Sequence, residues 1–395
     1  MSNFYPYGKQ SIDEKDIEAV INTLKSDFLT TGPKVKEFED RICDKTGSNY
    51  CVAVCNGTAA LHIAAISLLN KGEKVLTTPN SFLATSNAII YADAVPVFVD
   101  INEDGNIDLD ECEKRIKKDR DIKAIFGVHF SGNPLNQDKL RILKEQYKIK
   151  ILEDCAHSLG ASFKTEENTV VKAGSCKYSD LSILSFHPVK HITCGEGGAI
   201  TTNSKELYDK MMILRTHGMQ KHDFKNENMA FDKFGNVNPW YYEMQNIGFN
   251  YRITDFQCAL GISQLEKLDN FIERRREIAQ YYGKAFENNE YIKPLYKFDK
   301  GSAYHLYVIK IDFERINKTR AEVIQELNQK GVGTQVHYIP INKQPYYKNA
   351  GYGKENTPVM DKYYSECLSI PMYPALTDND LSFILKTINE VVNIK

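Results

Sequence analysis

The chain has 395 residues, 42% of them hydrophobic, and 50 basic against 52 acidic side chains give a formal net charge of -2. A chain this long outgrows a single core, so one large and one smaller domain are expected. The balanced, dispersed charge excludes a nucleic-acid-binding arm or stripe. No basic-then-apolar leader opens the chain and no apolar run of about 18 residues occurs, so neither a secretory signal nor a membrane span is expected.

Nine cysteines, scattered from Cys43 to Cys367, make an odd number that does not suit a disulfide framework. They fit a reducing cytoplasm, and Cys51 and Cys55 lack the neighbouring ligand types that zinc needs. Ser11 with Glu14 predicts a capping box for a helix carrying Ile17, Val20, Ile21 and Leu24. Seven β-rich runs follow: Val52–Cys55, Lys74–Thr77, Val95–Val99, Ala124–Val128, Ile149–Asp154, Leu181–Phe186 and Gly198–Thr202. A helix over Ala59–Leu69 and further helix-length intervals between the runs predict βαβ units and a mostly parallel sheet. The last interval is too short for a crossover, which predicts one antiparallel strand.

From Asn203 to Asn250 the sequence is polar and irregular, and a long helix is predicted from Thr254 to Phe286. Then come a strand (Leu306–Ile311), a helix capped by Thr319 and Glu322, a strand (Gly333–His337) and a closing helix after Thr377. The division expected is a large domain over 1–255, then the linking helix and a small α+β domain over 256–395.

Four segments carry chemistry, three of them at the carboxyl ends of predicted strands, where open parallel sheets bind ligands. Asn56-Gly57-Thr58 joins a strand to a helix, whose first N–H groups can hold phosphate; a tight turn with Thr58 as a cap is the plainer reading. Asp154, in Glu153-Asp-Cys-Ala-His157, ends a buried strand and needs either a positive partner, such as a protonated pyridine nitrogen, or a helix to cap. His157 can touch such a ring or its phenolic oxygen. Lys190 follows Ser185-Phe-His-Pro-Val189 and precedes Gly195-Glu-Gly-Gly198, a setting that suits a shielded Schiff-base lysine, with one more surface lysine as the plainer reading. Ser185 offers a hydroxyl to a phosphate. Asn250 and Arg252 lie in Asn250-Tyr-Arg-Ile-Thr-Asp255, either a plain helix start or groups that reach a phosphate or sugar nucleotide from the same or a second subunit.

Taken together, Gly-Thr for phosphate, Asp for a ring nitrogen and a later Lys form a set specific to pyridoxal 5'-phosphate (PLP). The sequence resembles the DegT/DnrJ/StrS-type sugar aminotransferases from Phe28-Leu-Thr-Thr-Gly-Pro33 to Gln335-Val-His-Tyr-Ile-Pro340, with Asn56-Gly-Thr-Ala-Ala-Leu-His62 and Gly248-Phe-Asn-Tyr-Arg-Ile-Thr-Asp255 among the matching motifs. The resemblance implies the α/β PLP-dependent aminotransferase type I fold, with a mostly parallel seven-stranded sheet and a smaller C-terminal α+β domain. It implies that Lys190 bonds the cofactor, Asp154 pairs with the pyridinium nitrogen and His157 supports the ring. Gly57, Thr58 and Ser185 then hold the phosphate, Phe82 stacks on the ring, and Asn250 reaches in from the second subunit of a homodimer. Thr30, Arg252, His337 and Tyr338 are taken as substrate-binding.

Pro239-Trp-Tyr-Tyr-Glu-Met244 and the Lys190 loop are most similar to the family's pseudaminic acid branch. That branch moves an amino group, here expected from L-glutamate, to C4 of a UDP-linked 4-keto-6-deoxy-N-acetylhexosamine. His191 and Cys194 depart from it, where proline and threonine are expected. GDP- or dTDP-linked sugars, and a non-catalytic binding protein or regulator of the same fold, are the alternatives. The resemblance gives a sugar 3-dehydratase a histidine in place of Lys190. No metal is expected.

Overall fold

The structure is a computed structural model and describes residues 4–392. Its centre is a seven-stranded sheet: β1 (Tyr50–Val54), β2 (Lys74–Thr77), β3 (Val95–Phe98), β4 (Ile122–Val128), β5 (Lys150–Asp154), β6 (Leu181–Ser185) and β7 (Gly198–Thr202). In space they run β1-β7-β6-β5-β4-β2-β3. The four pairings from β3 across to β6 are parallel, and β7 runs antiparallel to both β1 and β6. Helices cover both faces, so the strands read as nearly unbroken apolar runs.

β7 starts against the turn that follows β1. A side chain at Gly198 would come within 2.4 Å of the Asn56 carbonyl oxygen, so only glycine allows that approach. The helix after the turn, Gly57–Leu68, is capped by Asn56, whose side chain accepts from Ala59 N at 2.8 Å.

The first helix, Glu14–Leu24, differs from expectation at its start. Asp13 is the cap and Asp16 completes the box; Ser11 and Glu14 do not. The Asp13–Asp16 pair wins because Asp16 is also buried against the long helix, where it accepts from Ser263 Oγ (2.6 Å) and Gln264 Nε2 (2.7 Å). Gln264 also holds the Ser11 carbonyl. Residues 203–250 are more regular than their polarity suggests, since Ser204 caps a helix over Lys205–Arg215. The expected strand at 333–337 reduces to one bridge, Gln335 to Ser369. At the start of the segment Gly333 N donates instead to the Tyr5 carbonyl at 2.8 Å, so that donor is not available to the Ser369 strand.

The C-terminal part has an antiparallel sheet of β8 (Ile292–Pro294), β9 (Tyr307–Ile311) and β10 (Cys367–Ile370). Helices Arg320–Gln329, boxed by Thr319 and Glu322 as expected, and Asp378–Val392 pack with it. The long helix, Asp255–Phe286, serves both parts. Its first half buries Cys258, Ile262, Leu265 and Leu268 beside the large sheet, and its second half buries Ile278, Tyr282 and Phe286 in the C-terminal core.

One buried ion pair joins three elements of the large part. Arg215 donates to Glu39 Oε1 at 2.6 Å and to the Ala53 carbonyl at 2.8 Å, and Ala53 N donates back to Glu39 at 2.9 Å. Glu39→Ala leaves the guanidinium buried and unpaired, so a loss of about 3–5 kcal/mol is expected. Denaturant titration checks this, the unfolding midpoint falling with the slope unchanged.

Candidate active site

The carboxyl ends of β1, β5 and β6 open onto one cavity of about 630 Å³. Asn56, Gly57 and Thr58 line it after β1, Asp154, Ala156 and His157 at and after β5, and Ser185, His187 and Lys190 at and after β6. The C-terminal part closes it with His305 and with Gln335 to Ile339.

At one end the cavity is an anion cradle. The helix Gly57–Leu68 points its free N–H groups there, a partial positive charge that suits phosphate. A methyl group on Gly57 would lie 3.0 Å from Ser185 Cβ and 3.1 Å from its Oγ, so the glycine lets the hydroxyl and the helix start converge.

At the other end, Asp154 is 5% exposed. Its Oδ2 accepts from Thr85 Oγ1 at 2.7 Å and its Oδ1 from Ala156 N at 3.1 Å. Both donors are uncharged. Burial pushes the carboxyl pKa up, while Thr85, Ala156 and the charge of Lys190 pull it down. A protonated ring nitrogen is the partner this carboxylate lacks. Helix N-terminus, hydroxyl and buried carboxylate thus fit the two ends of PLP.

Lys190 sits in a turn closed by its own N–H to the His187 carbonyl. Burial pushes its amine down to about 8, against the opposing pull of Asp154, and its Nζ lies 3.4 Å from His305 Nε2. His157 Nε2 lies 3.2 Å from the Tyr338 hydroxyl, while its buried Nδ1 has no partner. Burial, then the charge of Lys190, holds this imidazole neutral. His337 is pushed down to about 3 by burial and by Lys190, with its Nδ1 2.8 Å from Ser369 Oγ. Phe82 is 59% exposed, with its ring 6.5 Å from that of Tyr338.

The cavity therefore brings together Gly57, Thr58, Phe82, Asp154, His157, Ser185, Lys190, His337 and Tyr338. Thr30, Asn250 and Arg252 do not line it. Thr30 bridges to Thr254 and Asn250 to Thr216. Asp255, a buried carboxylate, accepts from Gly32 N (2.8 Å) and Lys34 N (3.0 Å) and so ties the 30–34 turn to the long helix.

Sequence reading missed Thr85, His305 and Tyr7. Thr85 had a signal, a hydroxyl one helical turn from Ser81, to which it is bonded at 2.8 Å. His305 and Tyr7 had none, because only tertiary folding carries them to the cavity.

The sequence profile of the DegT/DnrJ/EryC1/StrS aminotransferase family matches residues 10–389. The chain belongs to this family. It is 39% identical over 388 residues to the UDP-4-amino-4,6-dideoxy-N-acetyl-beta-L-altrosamine transaminase of Campylobacter jejuni, covering 98% of this chain and 97% of that one. Its fold matches Helicobacter pylori PseC, an aminotransferase of pseudoaminic acid biosynthesis, at TM-score 0.89 and 29% identity, covering 99% of each. Spr1654 of Streptococcus pneumoniae, solved in PLP and PMP forms, matches at TM-scores of 0.84 and 0.85, with 27% and 28% identity over 98% of each chain. As a DegT/DnrJ/EryC1/StrS member the protein is a PLP-dependent aminotransferase with the family's α/β fold.

The depressed amine makes a pH prediction. A lysine attacks carbonyls only when neutral, so PLP capture by the cofactor-free protein should rise with pH and be half-maximal near 8, not near the ordinary lysine value. Stopped-flow visible absorbance across that range measures it.

Proposed function

We propose that the protein moves the amino group of L-glutamate to C4 of a nucleotide-linked 4-keto-6-deoxy sugar, a UDP-linked N-acetylhexosamine on the route to pseudaminic acid. The observation that carries this reading is the opposition of Lys190 and Asp154 across a cavity with an anion cradle at one end. A scaffold kept only for binding has no need of a buried, uncompensated carboxylate beside a depressed amine. The 39% likeness to the Campylobacter transaminase supports the sugar and its UDP carrier.

PLP, when bound, supplies an electron sink that labilises the Cα proton of an amino acid. Asp154 would hold the ring nitrogen protonated, and Thr85 fixes that carboxylate by donating to its Oδ2. The helix start at Gly57 and Thr58, with Ser185, anchors the phosphate. Lys190, as a neutral amine, would be the base that takes the proton from the donor's Cα and hands it on, with PLP supplying the electron sink. It runs the same transfer in reverse when the keto sugar arrives, giving two half-reactions through one base. His157 supports the phenolic oxygen side, Phe82 covers the ring face, and His337 and Tyr338 meet the sugar with Thr30 and Arg252.

A homodimer completes the site in this reading, with Asn250 given by each subunit to the other. Met229, Phe234, Trp240, Met244 and Ile247 are all more than 60% exposed on the segment before Asn250, apolar surface that a second copy would cover. We assign the protein to the cytoplasm. Among the described residues no helix is long and apolar enough to cross a membrane.

Two measurements test the proposal. Purified protein should lose its visible absorbance on adding L-glutamate and regain it only with the accepted keto sugar; UDP-, GDP- and dTDP-linked ketones tried in turn decide the carrier. Lys190→Ala should drop turnover by at least about 10²–10⁴-fold without unfolding, the contribution of a placed general base. For the shared site, a mixture of Lys190→Ala and Asn250→Ala proteins should recover up to about a quarter of wild-type activity, because half the dimers are hybrids with one intact site each. No recovery after subunit exchange would rule out the sharing.

A further inference from the structure

His305 lies on the wall of the cavity opposite the sheet, carried there by the C-terminal part. Its ring belongs to a residue only 4% exposed, its Nε2 is 3.4 Å from Lys190 Nζ, and its buried Nδ1 has no partner. The segment that carries it is fixed from several directions. Ala303 N donates to the Gly132 carbonyl at 3.0 Å, and Ser131 Oγ donates to the Leu306 carbonyl at 2.8 Å. From the long helix, the buried Arg275 guanidinium donates to the carbonyls of Tyr304 (3.1 Å) and His305 (3.3 Å). From the nucleophile's own loop, His191 Nε2 meets the Ala303 carbonyl at 3.2 Å. His191 stands where the family resemblance leads one to expect proline, which has no such donor, so this last tie belongs to this chain.

The charged and titratable groups around the ring all bear on its state. His157 is 4.3 Å and His191 5.6 Å away between ring centroids, and Arg275 and Lys190 are the cations beside it. Asp154 and His337 bear on Lys190 in turn, and Tyr338 bears on Asp154. Burial first, then these cations, holds His305 neutral. An ammonium has only donors to offer, so the Nε2 facing it is the accepting nitrogen.

We propose that His305 is a positioning residue for Lys190: it accepts a hydrogen bond from the amine when that amine is not bonded to the cofactor, and holds it aimed into the cavity. The inference rests on the reading of Lys190 as the cofactor-bonding amine. Without His305 the four-carbon stem of Lys190 is free to turn, and the attacking geometry must be found anew at each encounter.

The test uses the full-length protein stripped of PLP, in wild-type, His305→Phe, His305→Gln and His191→Phe forms. PLP capture is followed by stopped flow from about pH 6 to about pH 10. Borohydride reduction and peptide mapping then identify the lysine that reacted, and circular dichroism checks the fold. His305→Phe should slow capture about tenfold at the alkaline end, where the amine is neutral in both proteins, the cost of lost orientation. Its midpoint should move to lower pH, because the ammonium has lost an acceptor. His305→Gln, which keeps an acceptor at a similar reach, should recover most of the rate. His191→Phe should fall between. A folded His305→Phe protein that captures PLP at the wild-type rate at every pH overturns the inference and leaves the ring a packing element. Should His305→Phe fail to fold, His191→Phe decides, and an unchanged rate there overturns it too. Label on a lysine other than Lys190 sinks the site reading itself, which the reduction step distinguishes from a failure of His305 alone.

Discussion

Asp154 is a carboxylate that the fold has taken out of water and hydrogen-bonded only to a hydroxyl and an amide. Holding an ion that way costs several kcal/mol unless a positive partner arrives. Its neighbour on the strand shows the alternative. Glu153 points to the other face of the sheet and accepts from His129 Nε2 (2.8 Å), Gln137 Nε2 (2.7 Å) and Ser179 Oγ (2.6 Å). Two carboxylates, adjacent in sequence, are therefore treated oppositely: one is fully satisfied and locks β5 to its neighbours, the other is held ready for a ligand. The rest of the cavity follows from that asymmetry, since Thr85, the 80–85 turn and the end of β6 are arranged about the unsatisfied group.

Much of this was legible before folding was considered, for a physical reason. Strands covered on both faces must be apolar along their length, so all seven runs are located to within two residues at each end. The glycines, Asp154 and Lys190 stand out because they interrupt or end those runs. The short gap before Gly198 gave the antiparallel strand by simple reach. What failed to show was what depends on competition or on distance. Ser11–Glu14 and Asp13–Asp16 are both capping patterns, and only the burial of Asp16 against Ser263 and Gln264 chooses between them. The run from Gly333 to His337 alternates like a strand, yet its first donor goes to the Tyr5 carbonyl, a partner more than three hundred residues away that no local pattern announces.

The site's second wall illustrates the same limit. His305 comes from the C-terminal part and Tyr7 from near the start of the chain, and they reach the cavity wall only by packing on His157 (ring centroids 4.3 Å) and His337 (5.2 Å) respectively. Neither lies at a spacing from Lys190 that a sequence pattern could register. Thr30, Asn250 and Arg252 are a different matter: their residue types suggested a ligand, and one chain by itself keeps them off the cavity lining.

The helix from Asp255 to Phe286 is common property of two cores. A rod of 32 residues rises roughly 48 Å at the usual 1.5 Å per residue, so it is a beam and not a hinge. Neither core has its full wall without it, and Arg275 fastens its middle to the chain segment lining the cavity. The wall that His305 gives the cavity is therefore pinned to the same rod that backs the large sheet, and the C-terminal part cannot be cut away as a self-sufficient fragment without stripping a face from the other.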